Sequence, residues 1–238
     1  MTDFKYESKD LEAMSSAPRY HTWVLSTFKD FLGKHVAEVG AGSGNFSSLL
    51  LKEPIEELVA IEPSNNIYPL LQEKITSDKR ATTHNTFFPE VSNLYPNHFD
   101  SIVYVDVMEH IKDDTEELSH IYSALKEGGH VCIFVPALQW LYSDHDASIG
   151  HYRRYHKKPL ENLVEKTGFK IIKVEYFDVI GILSWFVMFK LLKRKPAPGN
   201  VGVYDKLVVP ISRSLESIMS PPIGKNLIIV GKKVSRTI

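Results

Sequence analysis

The sequence predicts an α/β protein in which a mostly parallel sheet is covered by helices on both faces. Three observations predict it. Short apolar runs recur at 36–39, 58–61, 99–105 and 130–135, and they read as buried strands. Segments with apolar residues at helical spacing separate them, so strand and helix alternate. The first run ends in a turn carrying Gly40, Gly42 and Gly44, and the helix-like Phe46-Ser-Ser-Leu-Leu-Leu51 follows at once.

The bulk properties narrow the possibilities. A chain of 238 residues suits one domain of ordinary size with room for a lid or insertion. Its 28 Lys and Arg nearly balance its 29 Asp and Glu, so no polyanion-binding surface is implied, and no nucleic-acid motif is present. The single cysteine, Cys132, lies in an apolar run, which excludes an internal disulfide framework and fits a reducing compartment. The polar N-terminal stretch MTDFKYESKD resembles neither a signal nor a transit peptide, so a cytoplasmic location is expected.

Taken in order, Tyr20, Trp23, Val24, Phe28 and Phe31 recur at helical spacing behind Pro18, predicting an amphipathic helix over 16–32. This helix either packs on the sheet or closes over a ligand through Tyr20, His21 and Trp23, and the two roles are compatible. The strand at 36–39, the glycine turn and its helix come next. Pro54 breaks the pattern and Leu58–Ile61 forms a second strand ending at Glu62 and Pro63, followed by a helix over 64–79 that contains Pro69. Residues 81–87 form a weak third strand, with Val91, Leu94 and Tyr95 in an irregular connection. The fourth strand, 99–105, ends at Asp106-Val-Met-Glu-His110. Asp113 or Asp114 caps a helix that Gly128-Gly129 ends. A fifth strand at 130–135, a helix begun at Pro159, a strand at 171–177 and a last strand at 226–232 complete the pattern. The expected division is an N-terminal helical lid at 1–32, a main domain of 33–178 with 223–238, and an apolar helical insertion at 179–222.

Spacing decides which ligand the glycine turn suits. A pyrophosphate-binding dinucleotide loop requires G-x-G-x-x-G, and its third glycine would fall on Asn45; the glycines here fall as G-x-G-x-G. A nicotinamide oxidoreductase is therefore disfavoured. Glu38 precedes the loop, Glu62 ends the second strand and Asp106 ends the fourth. Carboxylates in those places complement a cationic ligand and would repel phosphates.

This set resembles the class I S-adenosylmethionine-dependent methyltransferases, over roughly 33–178 and the last strand. The resemblance implies a Rossmann-like, doubly wound, seven-stranded sheet whose last strand is antiparallel, with S-adenosyl-L-methionine as cofactor. It places Glu38, Gly40, Gly42 and Gly44 by the methionine part, Glu62 on the ribose, and Asp106 beside the methionine amino group or adenosine. Many relatives carry an Asp after the third strand for the adenine amino group; here the stretch reads Asn85-Thr86-Phe87, and Thr86 takes that place.

The acceptor should lie beyond the carboxyl ends of the fourth and fifth strands. His110 either reaches the pocket or supports the helix entry. The stretch Tyr142 to Tyr155 gathers titratable and aromatic groups, and it resembles a subgroup of small-molecule methyltransferases, similar to those of quinone and natural-product biosynthesis, with a loop of the form Y-x-x-x-D-x-x-x-G-H-x-R-R-Y. The matching residues are Tyr142, Asp146, Gly150, His151, Arg153, Arg154 and Tyr155. His151 is the candidate general base and Asp146 its orienting partner, which favours oxygen as the methylated atom. Tyr20, His110, Tyr142, Arg153, Arg154 and Tyr155 are substrate-side candidates, the arginines with a structural ion pair as their other reading. No metal site is expected. The fourth strand lacks the N/D-P-P-Y/F motif of amine methyltransferases of nucleic acids, so a small-molecule or lipid-like acceptor is expected. Residues 179–189 are almost wholly apolar and are followed by Lys190, Lys193, Arg194 and Lys195, too short to span a membrane at about 20 residues. They suit core packing, a dimer surface, a substrate tunnel or peripheral membrane contact through 179–195. A cofactor-binding regulatory protein without turnover is the remaining alternative.

Overall fold

In the computed structural model, residue 5 and residues 17–193 and 198–235 are described. Helix α1 (Pro18–Phe28) precedes β1 (His35–Val39), and short α2 (Ser47–Leu50) follows it. Then come β2 (Glu57–Ile61), α3 (Tyr68–Ile75), β3 (Ala81–His84), α4 (Phe88–Leu94), β4 (Phe99–Val105), α5 (Asp114–Ala124) and β5 (Leu125–Pro136). The chain continues through α6 (Asp144–Ser148), α7 (Lys157–Lys166), β6 (Phe169–Phe177), α8 (Val179–Trp185), α9 (Pro198–Val203), α10 (Val209–Ile218) and β7 (Asn226–Lys233).

The seven strands form one sheet in the order β3-β2-β1-β4-β5-β7-β6. Strand β7 is antiparallel to both β5 and β6, and the other pairings are parallel. Because successive side chains on a strand point to opposite faces, the apolar runs feed two cores. Ala37, Val59, Ile133 and Ile229 pack with Val91, Leu118 and Leu160 on one face. Val36, Leu58, Phe134 and Ile228 pack with Val24, Phe28 and Leu71 on the other. The order reverses between β1 and β4, and that is where a doubly wound sheet opens a crevice beyond its strand ends.

Local chemistry explains where the elements differ from the sequence expectation. The connection at 88–94, expected to be irregular, is helix α4; Pro89 sits in its first turn, where a missing N–H costs nothing. Strand β3 stops at His84. Helix α5 is capped by Asp113, which accepts a hydrogen bond from Glu116 N, and it ends at Ala124, before the glycine pair. Strand β5 begins there, since Leu125 pairs with Phe99 across an irregularity in the register. Within the expected loop at 142–155, Ser143 and Asp146 form a capping box that winds α6.

Helix α1 is part of the core: Tyr20, Trp23, Val24, Leu25 and Phe28 are buried against the sheet. Its N-terminus has no side-chain cap of its own. Asp205, from the segment joining α9 and α10, takes that role, accepting from Tyr20 N at 2.8 Å and Arg19 N at 3.2 Å. The insertion is thereby fastened to the first helix. Replacing this buried carboxylate strands two helix N–H groups, so Asp205→Ala should lower stability by about 1–2 kcal/mol in urea unfolding, and Asp205→Asn by less.

Candidate active site

The glycine turn is held by its neighbours. Gly40 N and Ala41 N both donate to Ile61 O, at 2.8 and 2.9 Å. Gly40, Gly42 and Gly44 all have positive φ, and a Cβ on Gly40 would fall 2.4 Å from Val107 Cγ2. A side chain there would push the loop after β1 away from the loop after β4. Glu62 secures the turn from the other side: Oε2 accepts from Gly42 N at 2.9 Å and Oε1 from Ser64 N at 2.8 Å.

A cavity of about 350 Å³ lies over this junction. One wall is the loop after β1 with Glu38, Gly40 and Gly42; a second is Asp106, Glu109 and His110 after β4; a third carries His151 and Arg154. Trp185, Met188 and Phe189 of the insertion, with Tyr20 and His21 of α1, close it. Asp106 takes a left-handed backbone, φ 54°, with its N–H on Phe134 O at 2.9 Å, which turns its carboxyl out of the strand line toward the cavity.

Several sequence candidates stand behind this wall. Glu62 is committed to the turn and is not on the cavity surface, so here it shapes the cofactor loop. Gly44 also stays off the surface: a Cβ there would lie 3.1 Å from Leu71 Cδ1, so its smallness lets α3 pack. Thr86 turns away with the chain as it enters α4, and its hydroxyl donates to Glu90. Arg153 pairs with Asp114 and donates to Lys112 O at 2.7 Å, away from the cavity. Tyr155 is buried, donating to Met108 O at 3.1 Å and Asp114 at 3.0 Å. Tyr142 OH donates to His151 O at 2.6 Å, bracing the loop. These three are scaffold, because their polar atoms are used within the protein.

His151 and Asp146 come together as the sequence suggests. Asp146 Oδ1 lies 3.1 Å from His151 Nδ1, which leaves Nε2 for the other side. Burial alone would raise the Asp146 carboxyl, but hydrogen bonds from His151 and Ser143 and the Arg154 charge bring it down to about 2. Arg154 is both an ion pair and a wall: Nη2 is 2.8 Å from Asp146 Oδ1, and its guanidinium lies over the Trp185 ring at 4.4 Å. Lys225 and Asn226 also line the cavity. The signal for them was the direction of β7: running antiparallel to β5, it sets Asn226 opposite Pro136, at the end where β5 meets the site.

The carboxyl groups are poised for a cation. Burial pushes Glu38 up to about 8, opposed by the Ser47 hydrogen bond and assisted by the Glu62 charge. Burial pushes Asp106 up to about 6 against the charges of Lys225, His151 and Arg154. Glu109 is fully buried, raised well above the carboxylate range by burial and by Asp106, and neither of its oxygens has a hydrogen-bond partner among the described residues. Glu38 and Asp106, raised by burial on the wall around the glycine turn, fit a positively charged occupant, which would draw them into their ionised forms. The residues therefore fit a sulfonium and ammonium ligand.

Comparison with known proteins agrees with this chemistry. A family model described as a methyltransferase domain matches residues 16–174. Phosphoethanolamine N-methyltransferase 2 of Caenorhabditis elegans is 27% identical over 158 residues, covering 64% of this chain and 36% of that protein. The tRNA U34 carboxymethyltransferase of Helicobacter acinonychis is 28% identical over 103 residues, covering 42% of the chain and 39% of that protein. The chain thus spans under two fifths of the length of these curated relatives. A S-adenosylmethionine-dependent methyltransferase from Archaeoglobus fulgidus has the same fold, with a TM-score of 0.64 and 19% identity over 90% of this chain and 93% of that one.

The raised Glu38 carboxyl carries a stability signature. The folded protein keeps this proton up to about pH 8, whereas the unfolded chain releases it above about 4.5. Through Glu38, ligand-free stability should therefore fall as pH rises between those values and level off above them, by up to about 5 kcal/mol. Urea unfolding across that range should show the decline, and Glu38→Gln should remove the Glu38 share of it, leaving the shallower decline that Asp106 and Glu109 contribute.

Proposed function

Since the chain belongs to the methyltransferase-domain family and its methyl donor is S-adenosylmethionine, we propose that it methylates an oxygen of a small-molecule acceptor bearing a lipid-like part. The observation that carries this reading is the single cavity that joins the glycine turn to His151 on one side and to the apolar insertion on another. Methyl transfer from a sulfonium is an in-line displacement, so alignment in a dry site does most of the work. Glu38, Gly40, Gly42 and Asp106 are the residues that would hold the donor, whose chemistry is an electrophilic methyl group. Glu62 and Gly44 keep the loop in place. His151, oriented by Asp146, faces the acceptor side and takes the hydroxyl proton.

The insertion supports the lipid-like part. Trp185, Met188 and Phe189 line the cavity. On the outside, Leu207, Ile211, Leu215 and Ile218 recur along one exposed face, at 60, 58, 53 and 85% exposure. Such a face contacts something apolar in use. Among the described residues no helix is long and apolar enough to cross a membrane. Lys190, Lys206 and Arg213 are in the same segment, so we read it as a peripheral contact with an anionic lipid surface in the cytoplasm. Arg194 and Lys195, part of the basic run, lie outside the described residues.

A screen of hydroxyl-bearing and lipid-linked acceptors for S-adenosylhomocysteine release tests the reaction. Calorimetric binding of NAD but not of S-adenosylmethionine would overturn the donor, and donor binding without turnover on any class would favour a regulatory role. His151→Ala should leave donor affinity nearly unchanged and slow the chemical step about 10²-fold or more. Sedimentation with anionic vesicles should recover the protein, and Leu215→Glu with Ile218→Glu should abolish that recovery; no binding by the unaltered protein would remove the membrane contact.

A further inference from the structure

Glu109 presents a problem that the donor and the His151 base leave unsolved. Its side chain is completely buried, yet both oxygens lack a partner, and a buried unpaired carboxyl is costly. Around it stand two imidazoles. His151 Nε2 is 3.7 Å from Glu109 Oε1, and the His110 and His151 rings are nearly perpendicular with centroids 4.5 Å apart. One ligand atom from each of Glu109, His110 and His151 lies within 4.8 Å of the others.

We propose that Glu109, His110 and His151 bind one first-row divalent cation at the acceptor end of the cavity. Bonds of about 2.0–2.2 Å would require these ligand atoms to close up by roughly 1 Å, within reach of small side-chain rotations. The outer contacts of a metal site are already in place. Asp146 holds His151 through Nδ1 at 3.1 Å, and Asp146 is itself held by Arg154 and Ser143. A hydrogen bond with the Gly150 backbone steadies His110. Histidine ligands in metal sites are oriented in this way through their second nitrogen.

The donor set selects the metal. Two imidazoles with one carboxylate suit zinc, cobalt or iron(II) better than magnesium or calcium, which take mainly oxygen ligands. Three protein ligands leave positions open, as in catalytic sites. An acceptor hydroxyl in an open position would ionise on the cation, its proton leaving to water, and His151 would then serve as ligand where the metal-free enzyme uses it as base. This last step alone rests on the hydroxyl acceptor proposed above; binding of the cation does not.

Cobalt is the probe, because its d–d absorption reports coordination directly. Chelator-stripped protein titrated with Co2+ should develop visible bands at one equivalent, and Zn2+ should bleach them. Glu109→Gln and His110→Ala should each weaken binding 10-fold or more. No d–d absorption, or equal affinity in both variants, overturns the site. A readout on the unaltered protein covers variants that fail to fold: Co2+ should shift or broaden the ring signals of His110 and His151 selectively, and undisturbed rings also overturn it. S-adenosylmethionine calorimetry on the same stripped protein separates the two readings. Donor binding without cobalt binding removes only the cation, and cobalt binding without donor binding removes the methyltransferase assignment but leaves the cation.

Discussion

The contact between Gly40 and Val107 is the constraint on which the site depends. Strands β1 and β4 are neighbours, and their exit loops must leave side by side at the point where the sheet order reverses. With Val107 Cγ2 only 2.4 Å from where a Cβ on Gly40 would stand, the two loops touch at the backbone of one and the side chain of the other. That closeness sets the acidic residue before the first turn, Glu38, and the one ending the fourth strand, Asp106, on one cavity. Glu62 supplies the complementary restraint from β2, so three consecutive strand ends in space position one loop.

The charge distribution follows from what each group is already bound to. Among the described residues, the two Lys and Arg side chains that line the cavity, Arg154 and Lys225, have buried acidic partners: Arg154 pairs with Asp146, and Lys225 Nζ lies 3.0 Å from Asp178 Oδ2. Their charges still draw Asp106 downward, but by less than burial raises it. Glu109 and Asp106 are left on the wall without comparable compensation, so burial dominates and both carboxyls shift upward. The site is thus short of positive charge in its ligand-free form, which is the electrostatic condition for taking a cationic ligand.

How much of this was legible in the sequence depended on whether the information was local. The glycine turn and the strands ending at Glu62 and Asp106 were readable, because period, spacing and strand order determine them; the His151–Asp146 pairing was suggested by the likeness of the 142–155 loop to a family motif, and the structure brings the two side chains to 3.1 Å. The division of labour inside the cluster was not. Glu62 looks like a ligand carboxylate, but each of its oxygens already accepts from a backbone N–H, Gly42 or Ser64, so it also holds the turn, a fact of three-dimensional approach. Arg153 and Arg154 are adjacent in sequence, yet one turns outward to Asp114 and the other lines the cavity over Trp185. Lys225 and Asn226 were missed although an antiparallel last strand was expected, because only the register of β7 against β5 sets Asn226 opposite Pro136 at the site.

The insertion shows the same dependence on distant partners. Asp178, at the end of β6, has a left-handed backbone and is completely buried. Its Oδ1 accepts from Gly181 N at 3.0 Å, starting α8, and from Tyr204 OH at 2.6 Å. Asp205, the next residue along, caps α1. Two acidic residues thereby tie the insertion both to the strand it leaves and to the first helix. The side of α8 that faces the cavity is consequently fixed, while the ridge from Leu207 to Ile218 is left outward with nothing of the described chain upon it. A segment held this firmly from inside supplies a wall of the pocket and leaves an apolar ridge outside, the arrangement on which the proposed peripheral contact rests. Under the proposed function, an acceptor with a long apolar part would lie along Trp185, Met188 and Phe189 with its hydroxyl toward His151, because apolar side chains and acid–base groups converge on one cavity.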